Sequence, residues 1–530
     1  MKKLLIFALL LSGLNLNAQD FRIVKGDCMP DLDVVVASES GVGKQQAVRS
    51  TRPRRLPSII TNWDKDKTYP QLVVLLEFSD TKFTMENPQA FYNDMFNTVG
   101  FNQRQGPGCV AEYFKEQSNG LLNMRFDVYG PFQVDAVAQP YTNPDENTRN
   151  YGHETFLKGI DLMKAAYPDL NYKQYDWNGD GYVNQVVFIY AGLPGNVGNE
   201  ECYGHIWPNT STVVTRTMND GTKIRDYTSS GEHWPLASKA LCGFGTVCHE
   251  FTHSLGLPDI YPTSNNAGYS VCDEWDLMDG GNFTNYGWCP PSYTPMEKWL
   301  LGWIDFQELT EPTSVIDLPA VSDGGHTYRI KHSDSEWLLL ENRQQSGWDR
   351  GIPGEGLVIY HVEYDASVWH GNSVNNNKNA RRFELVHADN MNYEVWDDYI
   401  YDNNLSTYFN GGRLNNRHLS GSPYPFMADG ATAPNDSLTD FSTPYAKMNR
   451  PNINGSMILG KPITNIRVSD DGLVSFDFMG GDNTTIVDGV VEPASKAAVR
   501  YYDLQGRHVS TAYRGLRIVR TADGRIKKTF

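Results

Sequence analysis

The chain has 530 residues, of which 40% are hydrophobic and 12% aromatic, so it can bury several cores and is not a disordered protein. Its 46 Lys and Arg residues stand against 63 Asp and Glu residues, which gives a net charge of −17. This charge argues against nucleic acid as a partner and suits a well-solvated exported protein. After the N-terminal region no apolar run is long enough to cross a bilayer, so we expect no transmembrane segment.

Residues 1–18 have the pattern of a secretory signal peptide. Two lysines precede an apolar run, and the small residue Ala18 stands before the expected cleavage point. The protein is therefore expected outside the cytoplasm, secreted or at the cell surface. Residues 19–65 show no strong core pattern and contain the basic stretch RSTRPRRLPS, which indicates a pro-segment with an exposed, cleavable linker.

The seven cysteines are unevenly placed. Six lie between Cys109 and Cys289, while Cys28 stands alone near the start. In an exported protein up to three disulfide bonds are expected in the central stretch. The alternative is that several of these cysteines are free, buried thiols.

Hydrophobic patterns in residues 66–305 switch repeatedly between strand and helix periods. The strand patterns lie at 71–80, 121–132 and 183–192, and the helix patterns at 87–97, 108–120 and 147–169. This mixture predicts an α+β domain. Helix patterns fade after about residue 306, and short apolar runs separated by Gly, Asn and Pro predict a β-rich domain over 306–482. Residues 483–530 form a short C-terminal β unit in this interpretation.

The stretch DWNGDGYVN, residues 176–184, has the spacing of a calcium-binding loop. Asp176, Asn178 and Asp180 alternate, a glycine permits a sharp turn, and Asn184 stands at the ninth position. The acid usual at the twelfth position is missing, because Val187 stands there. The alternative is a polar turn that leads into the next strand.

A metal-binding pattern occurs in HEFTHSLGLPD, residues 249–259. If the segment is helical, His249 and His253 present both imidazoles on one face, because residues four apart are about 40° apart around the axis. Gly256 is placed to end the helix in a left-handed turn, which brings Asp259 back toward the histidines. Two imidazoles and one carboxylate leave one tetrahedral zinc position open, as in catalytic rather than structural sites. Glu250 then becomes the general base, accepting a proton from the attacking water.

Two alternatives to this interpretation stay open. The histidines of the helix could simply pack or form hydrogen bonds. Glu274 or Glu297 could supply the third ligand, as in zinc enzymes whose third ligand is a distant glutamate, although the glycine favours Asp259.

Residues 245–261 and 274–303 resemble the immune-inhibitor-A-like secreted metallopeptidases, whose pattern is HExxHxxGxxD followed by a methionine turn. The resemblance covers about residues 70–365 and is most specific around the helix. It implies a metzincin-like zincin fold and a zinc-dependent endopeptidase that acts on protein substrates, with His249, His253 and Asp259 as ligands and Glu250 as base.

Met278 matches the methionine turn beneath the metal, and the alternative for it is an ordinary core methionine. The chain departs from many metzincins in its aspartate third ligand. It also lacks a tyrosine two residues after Met278. Only the metal itself can therefore be assigned to stabilise the oxyanion.

The C-terminal segment resembles the sorting domain of type IX secretion through YYDLQGRHV and RGLRIVR, which implies contact with secretion machinery. Arg517 stands where that family usually has an aromatic residue, and an ordinary β-hairpin is the alternative.

Cys28 suggests a mechanism of latency. A thiolate from the pro-segment can occupy the open zinc position until the segment is removed by cleavage near the arginines of RSTRPRRLPS. Asp27, Asp31 or Asp33 could ligate zinc instead, or the pro-segment could make no metal contact.

Two classes of function follow from these observations. The first is a secreted zinc endopeptidase. The second is a non-enzymatic surface adhesin or binding protein on an inactive zincin scaffold. An intact Glu250 favours the enzyme, since a scaffold without activity has no chemical reason to keep it.

Overall fold

The computed structural model describes residues 63–140, 150–196, 204–234, 240–264, 270–392, 418–482, 500–502, 517–520 and 526–529. The chain divides into two compact units, one that ends at Gly481 and one formed by Asp482–Phe530. The signal peptide, Cys28 and all but the last three residues of the predicted pro-segment lie outside the described residues. Within the described residues, no helix combines the length and the apolar character needed to cross a bilayer.

A five-stranded mixed sheet forms the centre of the first unit. Its strands are β1 (Thr68–Glu77), β2 (Asn123–Gln133), β3 (Val186–Tyr190), β4 (Thr210–Thr217) and β5 (Lys223–Gly231), in the order β2-β1-β3-β5-β4. The first four strands in this order are parallel, and the edge strand β4 is antiparallel to β5. β1 is hydrogen-bonded on both sides and covered on both faces, which explains its continuous apolar run.

Six α-helices lie in the described residues. They are α1 (Pro88–Asn97), α2 (Val110–Gln117), α3 (His153–Ala166), α4 (Gly245–Leu255), α5 (Pro295–Leu300) and α6 (Ala366–His370). The sequence specifies the starts of the first two helices. Asn87 accepts a hydrogen bond from the Ala90 amide ahead of Pro88, and Cys109 and Glu112 form a reciprocal capping box.

Helices cover both faces of the sheet. Val73 and Leu75 of β1 belong to the core that contains Phe251 of α4. Leu72 and Phe188 point the other way and pack in the core that contains Phe156 of α3. This alternation places α3 on one face and α4 on the opposite one, and it confirms the predicted α+β class.

Two further sheets follow in chain order, as the fading helix pattern predicts. Their strands are β6 (Gln307–Glu308), β7 (Thr313–Leu318), β8 (Tyr328–Lys331), β9 (Glu336–Arg343), β10 (Gly356–Glu363), β11 (Phe383–Leu385), β12 (Ile463–Val468) and β13 (Val474–Phe478). One sheet has the order β11-β10-β9-β8-β6 and the other the order β12-β13-β7.

The helical part and the β-rich part share one core. Trp337 of β9 and Val358 of β10 pack in the same cluster as Phe251 of α4. A buried ion pair reinforces this packing, since Arg343 donates two hydrogen bonds to Asp349 at 2.6 and 2.7 Å. Asp349 in turn accepts the Ser292 amide at 2.7 Å. The predicted boundary after residue 305 lies inside this common core.

The expectation of disulfide bonds is wrong for the described cysteines. Cys109, Cys242, Cys248, Cys272 and Cys289 are all buried and free. Cys248 and Cys272 pack inside the main hydrophobic core, where a thiol acts as a small apolar side chain. Burial raises the pKa of the Cys109 thiol to about 11 and that of Cys242 to about 12, so both stay protonated at neutral pH. Cys28 and Cys202 lie outside the described residues.

The second unit contains a three-stranded antiparallel sheet. Its strands are β14 (Arg500–Tyr502), β15 (Arg517–Arg520) and β16 (Ile526–Thr529), with β15 in the middle. A role of this unit in sorting stays a prediction.

Candidate metal centre

The metal-binding pattern lies on α4, which is buried along almost its whole length. Its N-terminal turn packs directly on the backbone of another segment. A Cβ atom on Gly245 would lie 2.0 Å from the carbonyl oxygen of Asn282, so only glycine fits there. At the other end Gly256 has a φ of 108°, and its amide donates back to the His253 carbonyl. The predicted left-handed helix end is therefore present.

The turn after α4 brings Asp259 against both histidines. Oδ1 of Asp259 lies 3.4 Å from Nε2 of His249 and 3.0 Å from Nε2 of His253. In the part of the chain that the structure describes, these three residues form the only group of three or more His, Cys, Asp and Glu side chains close enough to share a metal ion.

The outer nitrogen of each imidazole is held by a backbone carbonyl. Nδ1 of His249 lies 2.7 Å from the Leu277 carbonyl oxygen, and Nδ1 of His253 lies 2.8 Å from that of Leu257. These contacts place a ring proton on Nδ1 of each imidazole and leave Nε2, which faces Asp259, as the nitrogen that can bind a metal ion.

The inner atoms of the cluster fit a cation. Nε2 of His249 and Oδ1 of Asp259 are buried and make no hydrogen bond, although they are close together. An unsatisfied buried nitrogen and carboxylate oxygen are costly, and a metal ion between them would remove that cost. Two imidazoles and one carboxylate form a donor set that zinc accepts.

The electrostatics of the cluster keep the carboxylate ionised. Burial opposes the charge on Asp259, but the adjacent histidines outweigh it and hold the pKa of this carboxyl below its ordinary value. Burial likewise opposes the charge on His249, and Asp259 together with Glu250 raises its pKa. The charges of the cluster therefore attract a positive ion, as those of a metal site do.

Glu250 is 1% exposed and lies between the two histidines in sequence. Its backbone carbonyl accepts hydrogen bonds from the hydroxyl groups of Thr210 on β4 and Thr228 on β5. These contacts fix the middle of α4 against the edge of the sheet.

The other residues singled out in the sequence lie around the cluster without belonging to it. Met278 is fully buried in the main core, and its carbonyl accepts the Ile260 amide at 2.8 Å, next to Asp259. Glu297 caps its own helix by accepting from the amide and the hydroxyl of Thr294. Neither Glu297 nor Glu274 is part of the three-residue cluster.

The sequence interpretation missed one residue that touches this centre. Asn372 follows α6 and hydrogen-bonds to both the backbone and the carboxylate of Asp259. Its sequence context, GNSVNNNKN, suggests only a polar turn.

In the described structure, residues 176–184 form a turn whose polar groups satisfy one another. The Asp176 carboxylate accepts the amides of Gly179, Asp180 and Gly181, and the Asn184 side chain accepts the Trp177 amide. These contacts are those of the polar turn that the sequence left open as an alternative. Calcium binding by Asp176, Asn178, Asp180 and Asn184 stays a prediction.

The fold and the cluster together define a class of protein in which a helix packed on a mixed sheet carries two histidines that, with a nearby aspartate, could hold a metal ion. Residues 60–298 match the model of the immune inhibitor A peptidase M6 catalytic domain. This match agrees with the resemblance to the immune-inhibitor-A-like metallopeptidases seen in the sequence.

Two relatives show how far the similarity extends. Immune inhibitor A of Bacillus thuringiensis subsp. alesti is 27% identical over 285 residues, and the match covers 44% of this chain and 39% of the relative. The pre-pro-metalloprotease PrtV of Vibrio cholerae serotype O1 is 22% identical over 300 residues, covering 46% of this chain and 31% of the relative. The chain thus matches less than half of the length of either relative.

Proposed function

We propose that this protein is a secreted, zinc-dependent endopeptidase that hydrolyses protein substrates. In this proposal His249, His253 and Asp259 hold the zinc ion, and Glu250 is the general base. The observation that carries the proposal is the convergence of three buried donor atoms, two of them on imidazoles whose outer nitrogens are already held by carbonyls. The match to the peptidase M6 catalytic domain supports it.

Zinc, when bound, supplies a Lewis acid that polarises a peptide carbonyl and lowers the pKa of water to about 7. The chain supplies the proton transfer. The Glu250 carboxylate accepts a proton from the attacking water and delivers it to the leaving amine, so one side chain serves first as base and then as acid. Its backbone is held in the middle of a packed helix and its side chain is buried, which favours a fixed position for both transfers.

The protein part of the centre is held rigidly before any substrate binds. The carbonyls of Leu277 and Leu257 fix the orientation of the two rings, and the Gly256 turn fixes the distance of Asp259 from them. Such an arrangement lowers the cost of assembling the site around the ion.

A chelator experiment on the purified protein tests the proposal. We expect casein hydrolysis to stop when a zinc chelator is added and to return when zinc is restored. Hydrolysis that continues in a zinc-free sample would contradict the proposed function. A second contradicting outcome is a protein that binds one zinc ion tightly but, after removal of its N-terminal segment, cleaves no protein or peptide. The second outcome would favour a binding protein on an inactive scaffold.

A further inference from the structure

A loop from the β-rich part of the chain lies directly on the segment that carries the third proposed ligand. Asn372, Asn375 and Asn376 contact Asp259, Ile260 and Thr263 respectively. The Asn375 amide group donates to the Ile260 carbonyl at 2.7 Å, and the Asn376 side chain accepts the Thr263 amide at 2.7 Å. The loop and the ligand segment are thus joined at three consecutive points.

The contact between Asn372 and Asp259 is reciprocal. Oδ1 of Asn372 accepts the Asp259 amide at 2.7 Å, and Nδ2 of Asn372 donates to Oδ2 of Asp259 at 2.7 Å. Because Oδ2 is taken by this hydrogen bond, Oδ1 is the oxygen that faces Nε2 of both histidines. The amide of Asn372 therefore selects which carboxylate oxygen is offered to a metal ion.

The backbone of the loop is held in place independently of this contact. Asn375 is fully buried, and its side chain accepts the amides of Arg382 and Phe383 and donates to the Phe383 carbonyl, which ties the loop to β11. The Asn372 carbonyl accepts the Thr263 hydroxyl at 2.6 Å. The side chain of Asn372 is consequently presented to Asp259 from a fixed position.

An asparagine suits this place for two reasons. Its φ of 50° is left-handed, which asparagine tolerates better than most residues. Its side chain also offers one acceptor and one donor together, as the contact with Asp259 requires, whereas an aspartate would lack the donor and bring a second negative charge.

We propose that Asn372 is a positioning residue of the metal centre, which fixes the Asp259 carboxylate in the orientation that binds zinc. This inference rests on the proposed function, since it assumes that His249, His253 and Asp259 hold the ion. Asn372 lies outside the matched peptidase domain, which ends at residue 298. The β-rich part thereby supplies an outer partner to the metal centre.

The test compares zinc affinity in single variants of the full chain by competition with a chromogenic chelator. Asn372→Gly removes the side chain and introduces a residue that adopts positive φ without strain. Asn372→Asp keeps the acceptor and removes the donor. Asn376→Ala is the matched control, since it removes a side chain from the same loop that contacts the same segment but no proposed ligand. Cobalt-loaded samples add an absorption spectrum that reports ligand geometry.

We expect both Asn372 variants to bind zinc about 10–100-fold more weakly than the wild type, the usual effect of losing an outer partner. Their cobalt spectra should differ from that of the wild type, while Asn376→Ala matches it in both measurements. Equal zinc affinity and equal spectra for Asn372→Gly, Asn372→Asp and Asn376→Ala would overturn the positioning role while leaving the metal site intact. If the wild type binds zinc no better than His249→Ala, the metal site itself is wrong, and the inference about Asn372 falls with it.

Discussion

At the metal centre every proposed ligand is held through its outer atom. The carbonyls of Leu277 and Leu257 hold the two imidazoles, and Asn372 holds the carboxylate of Asp259. Each ligand thus keeps one inner donor atom for the cation, and its direction is fixed by backbone or side-chain contacts before the ion arrives. Glu250 has a different role in the proposal, since it moves a proton and binds no metal.

Replacing Glu250 separates metal binding from proton transfer. In Glu250→Gln the amide cannot accept the proton, so we expect hydrolysis to fall by about 10²–10⁴-fold while the zinc content stays near one ion per chain. Zinc content by atomic absorption and casein hydrolysis on the same sample check this. His249→Ala is the control that should lose both. Activity near the wild-type level in Glu250→Gln would assign the base elsewhere.

The third ligand can be identified by comparing three carboxylates. We expect Asp259→Ala to weaken zinc binding by more than the roughly 10–100-fold typical of an outer partner, because it removes a direct ligand. Glu274→Ala and Glu297→Gln should leave the affinity unchanged, since both residues lie outside the cluster. Chelator competition measures all three variants. If either glutamate variant loses more zinc affinity than Asp259→Ala, that glutamate and not Asp259 is the third ligand.

At the scale of secondary-structure elements, the sheet that contains β9, β10 and β11 has a buried contact between a histidine and two glutamates. Nε2 of His361 on β10 lies 2.7 Å from Oε1 of Glu336 on β9, and Nδ1 lies 3.6 Å from Oε1 of Glu384 on β11. Glu336 also accepts the backbone amides of Asn449 and Arg450. The His361 imidazole thus lies between carboxylates of the two neighbouring strands, and Glu336 links this contact to a following loop.

This contact predicts a stability that depends on pH. Burial alone would lower the pKa of His361, but Glu336 and Glu384 outweigh it and raise the pKa from 6.5 to about 9. A histidine whose pKa is higher in the folded than in the unfolded state stabilises the folded protein. This contribution is complete below about pH 6.5 and is lost as the pH rises through about 9. The shift corresponds to about 3 kcal/mol of unfolding free energy as an order of magnitude.

The measurement is the difference in unfolding free energy between the wild type and His361→Gln. We expect this difference to be large at pH 6 and to shrink by pH 10. His326→Gln is the control, since His326 is exposed and lies outside the buried contact. A difference for His361→Gln that is the same at pH 6 and pH 10 would show that His361 is uncharged in the folded protein.

At the scale of the whole molecule, the helical and β-rich parts act as one unit. Trp337 and Val358 pack in the hydrophobic core that also contains residues of α4. The ion pair of Arg343 and Asp349 links β9 to Ser292. Because the centre and the β-rich part share packed side chains, we expect the unit that ends at Gly481 to unfold in a single cooperative transition.

Latency is also a property of the whole chain. We predict that the precursor beginning at Gln19 is inactive because the Cys28 thiolate occupies the open zinc position, and that Cys28→Ala has casein-cleaving activity before any processing. Zymography of the two precursors, before and after cleavage near Arg55, tests this. A serine variant at Cys109, which is buried and distant in sequence, serves as the thiol control. If both precursors are equally inactive until cleavage, the pro-segment blocks the site by an aspartate or by bulk.

The sequence predicted the local features well because they depend on neighbouring residues. The helix of His249 and His253, its end at Gly256 and the return of Asp259 are all specified within eleven residues, by helical spacing and by a glycine that permits positive φ. The buried strands β1 and β3 were equally clear, since strands covered on both faces are continuously apolar. β4 and β5 were not predicted, because their many polar residues resemble those of a loop.

Only the tertiary structure decided which distant residues meet. Asn372 lies 113 residues from Asp259, and a polar turn in the sequence gives no sign of the carboxylate that it contacts. The state of the cysteines was likewise decided by the tertiary structure, because the number and spacing of thiols do not fix their positions, and the five described cysteines are buried and free. By itself the sequence determined the helix, the turn and the chemical types of the proposed ligands, since these follow from short-range geometry. The orientation of the Asp259 carboxylate depends on a contact made across the fold, which no local pattern encodes.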